Sequence, residues 1–201
     1  MRLPRLLLAA ALVASGSLAV APATATEKPK TRPACHLLVD ASGDGHSQHV
    51  PVISSQALDI LSGDLAVGTR TVVIVLAVSS TDLRTDPWVS LGYRWTFTFA
   101  LRGVVYTVTH RATRGTTGAM TYDDQFTAGT SGGGLPRGSA VRSDATSYTW
   151  VLPRSAVSGL GRGAMLTDVR AATTVGGDAA DDATRPGPYG IGSHDACTAQ
   201  R

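Results

Sequence analysis

The run Tyr93-Arg94-Trp95-Thr96-Phe97-Thr98-Phe99-Ala100-Leu101-Arg102 constrains this chain more than any other feature. Its period of two places Tyr93, Trp95, Phe97, Phe99 and Leu101 on one face and Arg94, Thr96, Thr98 and Arg102 on the other, as in a half-buried strand. Gly103 supplies a turn, and Val104–His110 is the return strand of a hairpin. A hairpin with one apolar face must bury that face under a second layer. The rest of the chain offers strands to do so. Thr69–Val78 is β-branched and apolar on both faces, which suits a central strand. Ser147–Leu152 alternates again until Pro153 stops it. Met165–Val175 alternates too, with Met165, Thr167, Val169, Ala171 and Thr173 on one side. No segment carries a helical stripe, and the best helical candidate is one short turn at 154–158. Thr127–Gly138 is a mobile loop by composition, and Gly176–Ser193 a second long irregular segment. Short strands separated by Gly, Ser, Thr, Asp and Pro predict an all-β fold: a two-sheet antiparallel β-sandwich, jelly-roll or immunoglobulin-like.

The first 25 residues have the marks of an export signal. Met1–Arg5 is basic, Leu6–Val20 is apolar, and Ala23-Thr24-Ala25 fits the small-residue cleavage rule. The apolar run is shorter than the ~20 residues that span a bilayer, so no membrane span is expected after cleavage. Residues 26–34 hold both lysines, Lys28 and Lys30, and two prolines, as a flexible leader does. The domain is expected over 35–197 and a short tail over 198–201. Without Arg2 and Arg5 the 18 basic side chains become 16, against 15 acidic ones. Such a near-neutral chain has no electrostatic case for nucleic acid as partner.

The only cysteines, Cys35 and Cys197, bracket the domain. In an exported chain an even count argues for a disulfide, here Cys35–Cys197. Closing so long a loop would contribute about 4–5 kcal/mol in the chain-entropy model. A redox or thiolate-metal role would need a CxxC or a neighbouring ligand cluster, and neither occurs.

Catalytic signatures are missing. There is no GxSxG, no HExxH and no phosphate loop, and Gly132-Gly133-Gly134 lacks the lysine and helix that a phosphate site requires. The one glutamate, Glu27, lies in the leader, so two-carboxylate glycosidase chemistry would need two aspartates. A non-catalytic protein is expected. Asp40-Ala41-Ser42-Gly43-Asp44-Gly45 has oxygen donors at alternate positions and a glycine at the sixth, the opening half of a calcium loop. Position 51 is Pro, so this is no EF-hand, and an Asx-turn uses the same residues. His46 and His49, with His36 nearby, are a weaker transition-metal set, and His110 and His194 stand isolated. Trp95 and Trp150 are assigned to the core. Trp88, after Asp86-Pro87, is the one tryptophan placed to meet a ligand, with Tyr93 beside it to stack on a sugar face.

The order of VDASGD (39–44), ALDILSGDLAVG (57–68), DPW (86–88), the aromatic hairpin, VLPRSAV (151–157), DAADDA (178–183) and a last cysteine carries a resemblance. From Cys35 to Cys197 the chain resembles secreted bacterial β-sandwich domains related to family-nine carbohydrate-binding modules, the glucodextranase C-terminal domain and the DOMON-like superfamily. The resemblance implies structural calcium and, in some members, sugar binding on a concave face. It assigns Asp59 as a second acidic position beside Asp40, Ser42 and Asp44. Apart from the resemblance, the Asp181-Asp182 pair is placed by the sequence to reach in from the late segment, with Asp182 as the ligand. Unlike the sugar-binding members, this chain has no evident pair of exposed tryptophans. The functional expectation is a secreted binding or accessory domain for an extracellular polysaccharide. The alternative is an envelope domain that binds another protein.

Overall fold

The aromatic hairpin is the spine of the molecule. The computed structural model describes residues 37–47 and 53–191. Its strands are β1 (Leu38–Val39), β2 (Ile60–Val67), β3 (Thr71–Val78), β4 (Tyr93–Leu101), β5 (Val104–Arg114), β6 (Met120–Ala128), β7 (Ser131–Gly134), β8 (Ala140–Asp144), β9 (Ser147–Pro153), β10 (Met165–Val175), β11 (Asp178–Thr184) and β12 (Tyr189–Gly190). They form two antiparallel sheets. One has the order β1-β2-β3-β9-β8; the other has β11-β10-β4-β5-β6-β7, with β12 also paired to β10. The all-β, two-sheet expectation holds. The cysteines lie outside the described residues.

Alternation decides which side chains meet between the sheets. Trp95, Phe97 and Phe99 of β4 face Leu65, Ile74, Tyr148 and Trp150 of the other sheet, all essentially without solvent contact. Trp95 lies 4.5 Å from Tyr148, centroid to centroid. β3 is central between β2 and β9, as its two-faced apolar pattern requires. Two polar groups of the second sheet reach the segment before β2. Trp95 Nε1 donates to the Ala57 carbonyl at 2.6 Å, and Thr173 Oγ1 to the Leu58 carbonyl at 2.6 Å. Buried donors thereby find partners and the two layers are tied together.

Three expectations of element placement need correction. The glycine-rich stretch after Thr127 is not an open loop: β6 runs to Ala128, turns, and β7 pairs back on it from Ala128↔Ser131 to Gln125↔Gly134. The segment after Gly176 holds β11 and β12. In β10 the simple alternation fails. Register shifts between Thr167 and Arg170, where Asp168 has φ of 50°. This bulge puts Leu166 inside and Met165 and Thr167 outside, before Val169, Ala171 and Thr173 resume the inner face.

The pairings also fix the two ends of the sandwich. Thr71 meets Pro153 and Leu101 meets Leu166. The turns at 68–70 and 102–103 and the segment 154–164 therefore share one end. The segments 40–47, 53–59 and 79–92 gather at the other. No helix among the described residues is long and apolar enough to cross a membrane.

Candidate functional site

The carboxylates converge at the end that bears segment 40–47. The Asp40 amide continues the β1–β2 pairing by donating to the Leu61 carbonyl at 3.1 Å. The chain then turns sharply around Asp59. The Asp59 side chain is 4% exposed, and its Oδ1 accepts from the amides of Gly43 at 2.8 Å and Gly45 at 3.3 Å. Its Oδ2 accepts from Ser79 Oγ. A Cβ on Gly45 would stand 2.4 Å from Asp59 Cα, so only glycine allows this approach. The loop is also bonded to β11, through His46 N to the Ala180 carbonyl at 3.0 Å.

This scaffold brings Asp40 and Asp44 against Asp181 of β11, with one carboxylate oxygen from each all within 4.8 Å of one another. Asp181 Oδ2 accepts from Ile60 N at 2.7 Å, and Asp40 Oδ1 from Ala41 N at 2.9 Å. Asp40 Oδ2 is buried and meets no hydrogen-bond donor among the described residues, although the Asp181 carboxyl is close enough to bond to Asp40 when it carries a proton. Among the described residues no basic side chain bonds to any of the three. Burial, followed by the negative charges of Asp40 and Asp44, raises Asp181 to about 6, against the lowering effect of the Ile60 amide. Burial and the Asp44 charge raise Asp40 as well. Three carboxylates with an orphaned oxygen suit a hard cation with oxygen ligands.

The residues named from the sequence divide. Asp40 and Asp44 stand in the cluster, and Ser42 is exposed on the same turn. Asp59 holds the loop by its amides, so its oxygens are already engaged and it shapes the cluster from behind. Asp182 is not the residue that completes it. Asp181 shares the inner face with Thr173, while Asp182, one position on, faces solvent opposite Ala172. Its charge still adds to the field at Asp40.

Trp88 opens the short 3₁₀ turn Pro87–Leu91. Asp86 organises the surroundings. Its Oδ1 accepts from Trp88 N at 2.9 Å, and its Oδ2 from Ser55 Oγ at 2.6 Å and Tyr93 OH at 2.9 Å. A shallow cleft of about 250 Å³ lies beside it, lined by Ser54, Gln56, Ser80, Asp82 and Trp88 among others. Trp88 is half-buried, one part packed on the core and the rest at the cleft. Tyr93 does not join it as a stacking surface. It is 1% exposed and committed to the core and to Asp86, and burial pushes its hydroxyl above the usual phenol range. Trp88→Ala is expected to cost about 1 kcal/mol, since only part of the ring is buried. The fold should survive, as a near-native circular dichroism spectrum would report, while retention on any bound glycan falls. Loss of the folded spectrum would assign Trp88 to the core.

His110, isolated in the sequence, has partners in space. Its Nδ1 lies 2.7 Å from Asp124 Oδ1, and its ring stacks on Tyr122 at 17°. Pairing of β5 with β6 sets His110 opposite Asp124, a cross-strand relation invisible without the register. His46 forms an isolated bridge with Ser54, and His36, His49 and His194 lie outside the described residues. Compared with known proteins, the chain matches no family model, no curated protein and no solved structure.

Proposed function

We propose that this protein is a secreted, non-catalytic binding or accessory domain whose sandwich edge is locked by calcium and whose ligand is an extracellular polysaccharide. The observation that carries the calcium reading is the meeting of Asp40 and Asp44 with Asp181, from distant parts of the chain, beside a buried Asp40 oxygen that meets no donor among the described residues. Ionised and unbridged, those carboxylates repel one another. A divalent cation between them turns repulsion into a cross-link between the loop and β11, with carbonyl groups and water completing its shell. Asp40, Asp44 and Asp181 would hold it; Asp59 would hold the turn that carries Asp40 and Asp44, and the Ile60 amide would hold Asp181. Exposed Ser54 and Gln56, half-buried Ser80, the Asp82 carboxylate and one tryptophan face at the Trp88 cleft support a hydroxyl-rich ligand, whose sugar rings present both polar edges and apolar faces.

The test compares two neighbouring aspartates. At calcium about 100-fold above its dissociation constant, a single site stabilises by about 2.7 kcal/mol. In a domain of this size that raises the melting temperature by roughly 5–10 °C. Asp181→Asn is expected to abolish most of this rise, and Asp182→Asn to keep it. Equal responses in the two variants, or no response in the unmodified protein, would remove the site.

A further inference from the structure

The opposite end of the sandwich is chemically the reverse of the carboxylate end. Turns 68–70 and 102–103 and segment 154–164 carry Arg70, Arg102, Arg154 and Arg162 and not one carboxylate. The two nearest in sequence are Asp64, buried within β2, and Asp168, which lies within β10 and accepts from Thr167 Oγ1 at 3.1 Å. An open depression of about 560 Å³ sits here, lined by Thr69, Arg154, Ser155, Ser158, Gly159 and Gly161 among others.

Arg102 stands where local stability favours a different residue. It and Gly103 are the central pair of the β4–β5 hairpin, with φ of 52° and 79°. A two-residue turn with both φ values positive favours Asn, Asp or Gly at its first position. An arginine there costs about 1–2 kcal/mol. Its side chain lies over Gly159, where an added Cβ would stand 3.0 Å from Arg102 Nη1. Arg154 is placed in the same way over Gly161, where a Cβ would come within 2.8 Å of its Nη2. Arg154 Nε donates to the Leu160 carbonyl at 3.2 Å, and Nη1 to the Gly68 carbonyl at 3.5 Å, so the guanidinium is held while Nη2 has no acceptor among the described residues. Among the described residues, Arg102 makes no hydrogen bond or ion pair. Arg154 thus lines the depression and Arg102 lies against its wall at Gly159, neither guanidinium neutralised among the described residues, next to the exposed hydroxyls of Thr69, Ser155 and Ser158.

We propose that this notch binds an oxyanion carried by the ligand, a carboxylate or a sulfate or phosphate ester. Arg102 and Arg154 donate to the anion, because a guanidinium fork matches such groups in geometry and charge. The serine and threonine hydroxyls accept and donate to flanking hydroxyls of the same ligand. The strained turn is retained because it aims Arg102 at the notch. The site is separate from the carboxylate cluster, so it does not depend on calcium there.

The test uses the full protein in chelator and, separately, in calcium. Probes are polygalacturonate for carboxylates, dextran sulfate and inorganic pyrophosphate for sulfate and phosphate, and plain dextran as the uncharged control. Titrations run at about 20 mM salt, where screening is weak. At least one anionic probe is expected to bind and dextran not, with affinity falling as salt rises. Arg102→Asn is expected to weaken that binding by about tenfold or more, the loss of one charge-assisted contact. The same variant should melt at or above the temperature of the unmodified protein, because Asn-Gly suits the turn. That combination separates a binding role from a structural one. Arg102→Asn binding as tightly as the unmodified protein would overturn the proposal, as would failure of every anionic probe to bind at low salt. Binding lost in chelator but present in calcium would place the anion at the carboxylate end and overturn it too.

Discussion

Replacing Asp59 by alanine is expected to lower the unfolding free energy by about 3 kcal/mol, because Asp59 holds the loop that carries Asp40 and Asp44. Its carboxylate is buried and accepts from the Gly43 and Gly45 amides and from Ser79 Oγ. Hydrogen bonds to a charged acceptor contribute about 1.5–3 kcal/mol each, and three sharing one group add less than their sum. Gly45 is buried against Asp59, so its amide has no easy access to water once the acceptor is gone. Asp59→Asn keeps an oxygen for the amides and is expected to cost only about 1 kcal/mol. The two variants should also part in their calcium response. The alanine frees segment 40–45 and loses the response with it; the asparagine keeps the loop turned and retains most of the shift. Urea unfolding midpoints with and without calcium read both effects. An alanine variant within about 1 kcal/mol of the unmodified protein would mean that the turn is held by its own backbone.

That dependence on a residue behind the site explains what could be read from the sequence and what could not. Periodicity identified the β4–β5 hairpin, the central β3 and the core positions of Trp95 and Trp150, because each turns on which side of a pleat a side chain falls. The same rule failed in β10, where the bulge at Asp168 moves the inner face by one residue and no local signal announces it. Residues Gly132–Gly134 have the composition of a loop, yet pairing with β6 holds them extended; ladder hydrogen bonds outweighed the weak strand preference of glycine. At the candidate site the loop chemistry of Asp40 and Asp44 was legible, because both lie within one short segment. Choosing between Asp181 and Asp182 required the register of β11 against β10, a long-range property. Tyr93 illustrates the opposite error. Its place beside Trp88 in sequence suggested a shared surface, but strand alternation had already sent it inward with Trp95.

Acid should affect the calcium-free and calcium-loaded proteins in opposite directions. In chelator, Asp181 titrates at about 6 in the folded chain, against 3.8 when unperturbed. The folded state therefore holds its proton more tightly than the unfolded state does. The resulting stability is fully present below about pH 4, declines as pH rises, and is gone above about 6. At about 1.4 kcal/mol per tenfold difference in proton affinity, reduced for the solvent-exposed part of the side chain, the loss is about 1–2 kcal/mol. With calcium present the cation and the proton compete for the same oxygens. Acidification through pH 6 should then expel calcium, and stability should rise with pH across the window in which the stripped protein weakens. Groups elsewhere titrate equally in both series, so the difference between the two curves isolates the carboxylate cluster. Melting temperatures from pH 4 to 7 in chelator and in saturating calcium measure it. Diverging curves that become parallel in Asp181→Asn are the expected result. Curves already parallel in the unmodified protein would mean that calcium does not meet Asp181, and the raised carboxyl would then be stabilised by a proton shared with Asp40 alone.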